Sequence, residues 1–201
     1  GEGVEPEVIL QSGGPTAVGN TCLAAAASAA TALSESSLHG RQLLGALHGM
    51  AGLLAEELVD LGAVEDWEPI VASAGAVLGS SRYRPTDADI ERIFEVLRRR
   101  DAHSLLMIGG NGTMSAAARL HSAAADSGFE LAVAAIPDTI DNDVPATEVC
   151  LGYASCARYT AQTVVDVAAD VRSLPTPVSI VEVMGRNAGW VAAATALART
   201  V

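Results

Sequence analysis

An α/β fold, with a doubly wound and mostly parallel sheet and helices on both faces, is what this sequence predicts. Short apolar runs of strand length alternate with longer stretches of helical spacing, the order that builds parallel strand–helix units. Half of the residues are hydrophobic and only 18% are charged, so apolar surface suffices for a core and disorder is not expected. Aromatics make up only 3%, which leaves Ala, Val, Leu and Ile to fill that core and favours closely packed layers.

Residues 1–6 read as a disordered leader and residues 7–11 as the first strand. A Gly-rich turn then leads into an Ala-rich helix over 20–33. A second strand is predicted at 42–47, and 49–61 reads as loop and short helix. Residues 88–99 read as a helix with Ile90, Ile93, Phe94 and Leu97 on one face. Arg98, Arg99 and Arg100 close it, where cations complement the macrodipole, and no function is assigned to them. A third strand at 104–108 precedes a helix at 114–125, and a fourth at 131–136 ends in a polar loop. A helix at 154–171, a strand at 178–183 and a helix at 189–199 complete the reading. The turn clusters at 34–37, 79–84 and 173–177 are connectors.

The formal charge of −12 excludes a nucleic-acid partner, because backbone phosphates require a basic face. It leaves phosphate ligands open, since a few Arg side chains and helix N-termini make a locally positive pocket. All twelve basic residues are Arg, which excludes a P-loop lysine and Schiff-base chemistry. Cys22, Cys150 and Cys156 have neither zinc-site spacing nor an even disulfide framework, so a reducing cytoplasm is expected. His39, His48, His103 and His121 form no HxxxH pair and are read as surface or cap residues. No apolar run approaches membrane-spanning length, so no membrane partner is expected.

Ligands of such sheets bind at the carboxyl ends of strands, and four segments are placed there. In Gln11-Ser12-Gly13-Gly14-Pro15-Thr16-Ala17 the two glycines let the backbone approach an anion, although a ligand-free turn accounts for them equally. Gly109-Gly110-Asn111-Gly112-Thr113 suits a phosphate nest, and Thr113 would cap the helix or touch phosphate. Ser115 stands where GxGxxG needs its last glycine, which makes a dinucleotide-binding Rossmann site the second choice. Residues 137–143 place Asp138, Asp141 and Asp143 within six positions, a crowding that calls for a cation or an Arg and reads as a metal or general-base site. A solvated acidic turn is the plainer alternative. Val181-Glu182-Val183-Met184-Gly185-Arg186 would deliver an Arg able to pair with phosphate.

Together these four segments and their order resemble the phosphofructokinase family, in both its ATP- and pyrophosphate-dependent branches. The resemblance runs over residues 7–199, takes in Leu78-Gly79-Ser80-Ser81-Arg82, and is carried most specifically by Thr139-Ile140-Asp141-Asn142-Asp143 and Met184-Gly185-Arg186. It implies a Rossmann-like nucleotide-binding lobe over 7–176 and the start of a sugar-phosphate lobe, incomplete here, over 177–201. It also implies Gly13, Gly14 and Arg82 at the donor phosphates, with Gly110, Asn111, Gly112 and Thr113 in the nucleotide pocket. Thr139, Ile140 and Asp141 would face the acceptor, with Asp141 the base, and Met184, Gly185 and Arg186 would line the sugar phosphate, Arg186 also stabilising the transferring group. Asp143 and Asn111 would be the protein's contacts to Mg2+.

Asn111 stands where ATP-type members carry an Mg-binding Asp. Pyrophosphate users pair that position with a following Asp and place Lys before Thr-Ile-Asp; here those positions are Gly112 and Asp138, which favours ATP, with pyrophosphate the alternative. Pro177 falls where many members have an Arg for the sugar phosphate, which gives ground to a modified or smaller sugar phosphate, or a regulatory role, beside fructose 6-phosphate itself. Catalytic units of the family are markedly longer, so self-association or a complementary chain is expected. A sugar-phosphate kinase is the first reading, and a non-catalytic phosphate-binding or scaffold relative the second.

Overall fold

The computed structural model describes residues 5–36 and 41–200. Residues 1–4 of the expected leader, Ser37 and His39 lie outside the described residues. The remaining two leader residues, Glu5 and Pro6, are strand: β1 runs Glu5–Gln11, because its parallel ladder with β2 (Arg41–Ala46) begins at Glu5↔Arg41. Contacts divide the chain into two compact units, one ending at Asp138 and the other beginning at Thr139.

In the first unit, α1 (Gly19–Ser36) follows β1, and α2 (Met50–Ala55) follows β2. A short strand, β3 (Leu58–Asp60), pairs antiparallel with β2, and a four-residue helix, α3 (Glu68–Val71), lies in the connection to α4 (Asp87–Arg99). Then come β4 (Ser104–Gly109), α5 (Asn111–Ser127) and β5 (Ala132–Thr139). The strand order β3-β2-β1-β4-β5 is parallel except at β3.

The two-residue period of the strands makes the sheet two-faced. Val8, Leu10, Leu44, Ala46, Leu105 and Met107 point into one core with α2, α4 and α5. Ile9, Leu43 and Ile108 point into the other, against Leu23, Ala27 and Ala30 of α1 and the loop residue Leu78. Ala at the helix positions facing the sheet lets α1 and α5 approach closely, as the scarcity of aromatics requires.

Thr86 caps α4 through a reciprocal box with Asp89, and the last turn carries Arg98 and Arg99. These cations have specific partners beyond the macrodipole. Arg98 lies over the Phe129 ring at 4.6 Å, and Arg99 and Arg100 pair with Glu56 at 2.7 and 3.0 Å.

The second unit holds β6 (Leu151–Gly152), α6 (Tyr153–Val171), α7 (Trp190–Ala194) and a 3-10 turn, Thr195–Thr200, where one continuous helix was expected. Val191 and Ala194 are buried, as are Ala157 and Ala161 of α6, and the Tyr153 hydroxyl donates to the Trp190 carbonyl at 3.1 Å. The strand expected at 178–183 is irregular chain, with Val178 and Ile180 80% and 94% exposed. A strand requires a ladder partner, and none of the described strands pairs with this stretch.

Candidate active site

The parallel register brings the carboxyl ends of β1, β4 and β5 level, with Gln11 beside Ile108 and Gly109 beside Pro137. Two glycine loops leave the sheet there. Gly13 is left-handed, with φ +86°, and a β-carbon on it would stand 3.8 Å from the Gly110 amide nitrogen, so the loops are neighbours. A β-carbon on Gly14 would stand 3.6 Å from the Arg82 guanidinium, which brings the Leu78–Arg82 stretch to the same place.

Side chains that bond to distant backbone hold these loops. The Gln11 amide donates to the Gly19 carbonyl at 3.0 Å and accepts from the Leu78 N–H at 3.2 Å. Asn20 accepts from the Val77 N–H at 2.7 Å and donates to the Ser73 carbonyl at 3.2 Å. Gly13 N–H donates to the Ser81 carbonyl at 3.0 Å, and the Ser80 hydroxyl donates to the Gly13 carbonyl at 2.7 Å. With its loop so fixed, Arg82 is exposed and makes no hydrogen bond or ion pair among the described residues. Its charge is available to an anion.

α5 begins three residues earlier than expected, at Asn111, with Gly110 as an N-cap that has no side-chain bond. Asn111 and Gly112 are exposed, and nothing lies within 4 Å of where a β-carbon on Gly112 would be. Thr113 neither caps the helix nor faces solvent: it is buried, and its hydroxyl lies against Gly109.

The helix that follows the other loop differs. Asp138 stands at the N-terminus of α1, where Thr16 donates to its Oδ1 at 2.6 Å. Burial pushes the Asp138 carboxyl above its ordinary range, and the Thr16 bond only partly offsets this. Strand β5 runs on through Pro137, Asp138 and Thr139, residues expected in the polar loop, because the β4 ladder extends to the Gly109↔Pro137 pair.

In the second unit the acidic turn is built around a residue the motif reading left without a role. Asn142 is buried and left-handed, with φ 53°; it accepts from the Cys150 N–H at 2.7 Å and donates to the Glu148 carbonyl at 3.1 Å. Asn tolerates this conformation better than most residues, which was the available signal. On one side of it, Asp141 N–H donates to the Thr139 hydroxyl at 3.2 Å, while Asp141 Oδ1 is buried without a partner. On the other side Asp143 is half-buried, as is Ile140. Met184 and Arg186 are exposed around Gly185, whose φ of +114° makes a sharp turn, and Arg186 has no carboxylate partner among the described residues.

No group of three or more His, Cys, Asp or Glu side chains among the described residues lies close enough to hold a metal ion.

Glycine loops at the carboxyl ends of parallel strands, with an unpaired Arg beside them, make the first unit an open α/β sheet of the kind that takes its ligands at those strand ends. The chain belongs to the phosphofructokinase family, whose profile, described as Phosphofructokinase, matches residues 7–201. It is 40% identical over 199 residues to a pyrophosphate–fructose 6-phosphate 1-phosphotransferase of Xanthomonas campestris, covering 94% of this chain and 46% of that one. A sulfofructose kinase of Alkalicoccus urumqiensis is 35% identical over 196 residues, covering 96% and 49%. The pyrophosphate-dependent phosphofructokinase of Nitrosospira multiformis shares the fold with a TM-score of 0.84 at 30% identity, covering 96% of this chain and 49% of its own. The chain thus spans about half the length of the curated relatives it matches.

Proposed function

We propose that the protein transfers a phosphoryl group from a polyphosphate donor to a hydroxyl of fructose 6-phosphate or a related sugar phosphate. The observation that carries this reading is Asp141 Oδ1, a buried carboxylate oxygen without a partner, in the family's Thr-Ile-Asp-Asn-Asp segment. A buried acceptor left open in a rigid turn suits a general base that takes the proton of an attacking hydroxyl. Gly13, Gly14, Arg82 and residues 110–112 are assigned to the donor, Arg82 by its unpaired charge, with buried Thr113 packed behind them against Gly109. Met184, Gly185 and Arg186 are assigned to the sugar phosphate, and Arg186 to charge stabilisation during transfer.

The name of the Xanthomonas relative supports pyrophosphate as donor. The open space at Gly112 and the absence of any Lys beside Thr139 support ATP. The sulfofructose kinase relative supports a modified sugar phosphate as acceptor. Mg2+ is read as part of the donor complex, held by its phosphates with Asp143 as the protein's contact, and no step is assigned to it. Three free cysteines support a cytoplasmic setting, and exposed Val178 and Ile180 support self-association.

The test is Asp141→Asn in the full protein, with ATP and pyrophosphate assayed side by side on fructose 6-phosphate. Turnover should fall about 10²–10⁴-fold with donor affinity little changed. A variant as fast as the parent would remove Asp141 from the chemistry. A parent inactive with both donors would remove the reading itself.

A further inference from the structure

We propose that Asp138 is a positioning residue: by accepting the Thr16 hydroxyl it ties the end of β5 to the glycine loop after β1, and so fixes the backbone that runs directly into Thr139, Ile140 and Asp141. The inference rests on the reading of Asp141 given above.

Strand parity sets the direction. Ile136 packs into the core on the α1 side of the sheet, and Asp138, two residues on, points the same way. There it meets the start of α1, where a β-carbon on Gly19 would stand 3.1 Å from Asp138 Oδ2 and 2.8 Å from the Gly75 carbonyl oxygen. Only glycine lets the carboxylate come this close to the helix.

Thr16 is held from two further directions. Its hydroxyl accepts from the Val18 N–H at 3.2 Å, and its carbonyl accepts from the Gly75 N–H at 3.0 Å. The single hydroxyl hydrogen is thereby directed at Asp138. Asp138 is 5% exposed, and its charge has no cationic partner among the described residues; the titratable group facing it is the Cys22 thiol, itself pushed up by burial and then by the Asp138 charge. The N-terminus of α1 gives partial compensation. As an ion, then, Asp138 contributes little to folding, and what it supplies is geometry at the entrance to the catalytic turn.

Thr16→Val and Asp138→Ala break the bond from opposite ends, whereas Thr16→Ser and Asp138→Asn keep a donor and an acceptor. The full protein is assayed for kcat and KM with fructose 6-phosphate, and for amide hydrogen exchange over residues 139–143. Each breaking variant should lower kcat about 10- to 100-fold with donor KM within about two-fold, and should speed exchange at 139–143. Combining the two should cost no more than either alone, and the Ser and Asn variants should restore both readouts. Unchanged exchange at 139–143, additive losses in the double variant, or failure of Thr16→Ser to restore kcat would each overturn the proposal. Should Asp138→Ala not fold, the Thr16→Val and Thr16→Ser pair decides the matter. If the parent transfers no phosphoryl group, the proposed function falls, while the exchange comparison still decides whether the bond fixes the turn.

Discussion

Replacing Asn142 by Ala removes both hydrogen bonds that close the acidic turn and puts a β-carbon with no compensating polar group at φ 53°. Cys150 is 1% exposed, so its N–H is left buried without an acceptor, a loss of roughly 1–3 kcal/mol. The left-handed conformation adds about 1 kcal/mol for Ala, for a total of about 2–4 kcal/mol. Asn142→Gly separates the two effects, since it loses the bonds but not the conformational freedom. Gly should therefore be the more stable of the two by about 1 kcal/mol, the reverse of the usual order for Gly and Ala. Urea unfolding followed by far-ultraviolet circular dichroism measures this, with a second probe to separate the two units. An Ala variant as stable as the Gly variant, or a Gly variant within about 0.5 kcal/mol of the parent, would refute the account.

Gly109→Ala should destabilise by about 1–3 kcal/mol, because its β-carbon would collide with the Ser12 carbonyl oxygen and the Thr113 hydroxyl while Ser12 is itself bonded to Ile108. Calorimetric titration with ADP and with pyrophosphate should show weaker binding, and an unchanged urea midpoint would argue against so tight an approach. The Asp138 carboxyl titrates above its ordinary value in the folded chain, so the native state binds this proton more strongly than the unfolded state does. Its contribution is then present below the unfolded value and lost as pH rises through the folded one. Asp138→Asn lacks this dependence, so its melting temperature should gain on that of the parent over a range of pH rising from about 4, near the ordinary Asp value. A difference constant across that range would mean that burial does not hold the carboxyl proton.

Much of the fold is legible in the sequence because β1, β2 and β4, the inner strands of the first unit, are buried on both faces and the helices between them repeat at helical spacing. The residues that escaped reading are those whose structure depends on a partner. β3 and α3 have three and four residues, too few to show a period, and β3 exists because β2 offers it an edge. The end of β5 was hidden by Pro137 and Asp138, both poor strand formers, although a Pro at the end of a ladder costs little. The apolar alternation at 178–183 failed in the opposite sense, since it has the composition of a strand but no ladder among the described residues.

The candidate site divides in the same way. Its glycines, its Asp residues and its Arg residues announce themselves by spacing, whereas Gln11, Thr16, Asn20 and Asn142 do not, because their role lies in backbone or side-chain partners that no motif spacing marks, most of them remote in the chain. Gln11 and Val77 make this plain: Gln11 bonds to Leu78, 67 positions away, and Val77 bonds to Asn20 over 57. Loops that must bring their backbones close to a ligand leave many N–H and C=O groups without secondary-structure partners, and burying them unbonded is costly. Neutral amide and hydroxyl side chains satisfy those groups without adding charge. Had Arg82 or Asp141 held the loops instead, each would have entered an internal pair and lost the field it can offer to a phosphate or a hydroxyl. The neutral scaffold therefore explains why both remain without internal partners, and under the proposed function turnover should be as sensitive to Asn142 and Thr16, which hold the backbone, as to the charged residues near them.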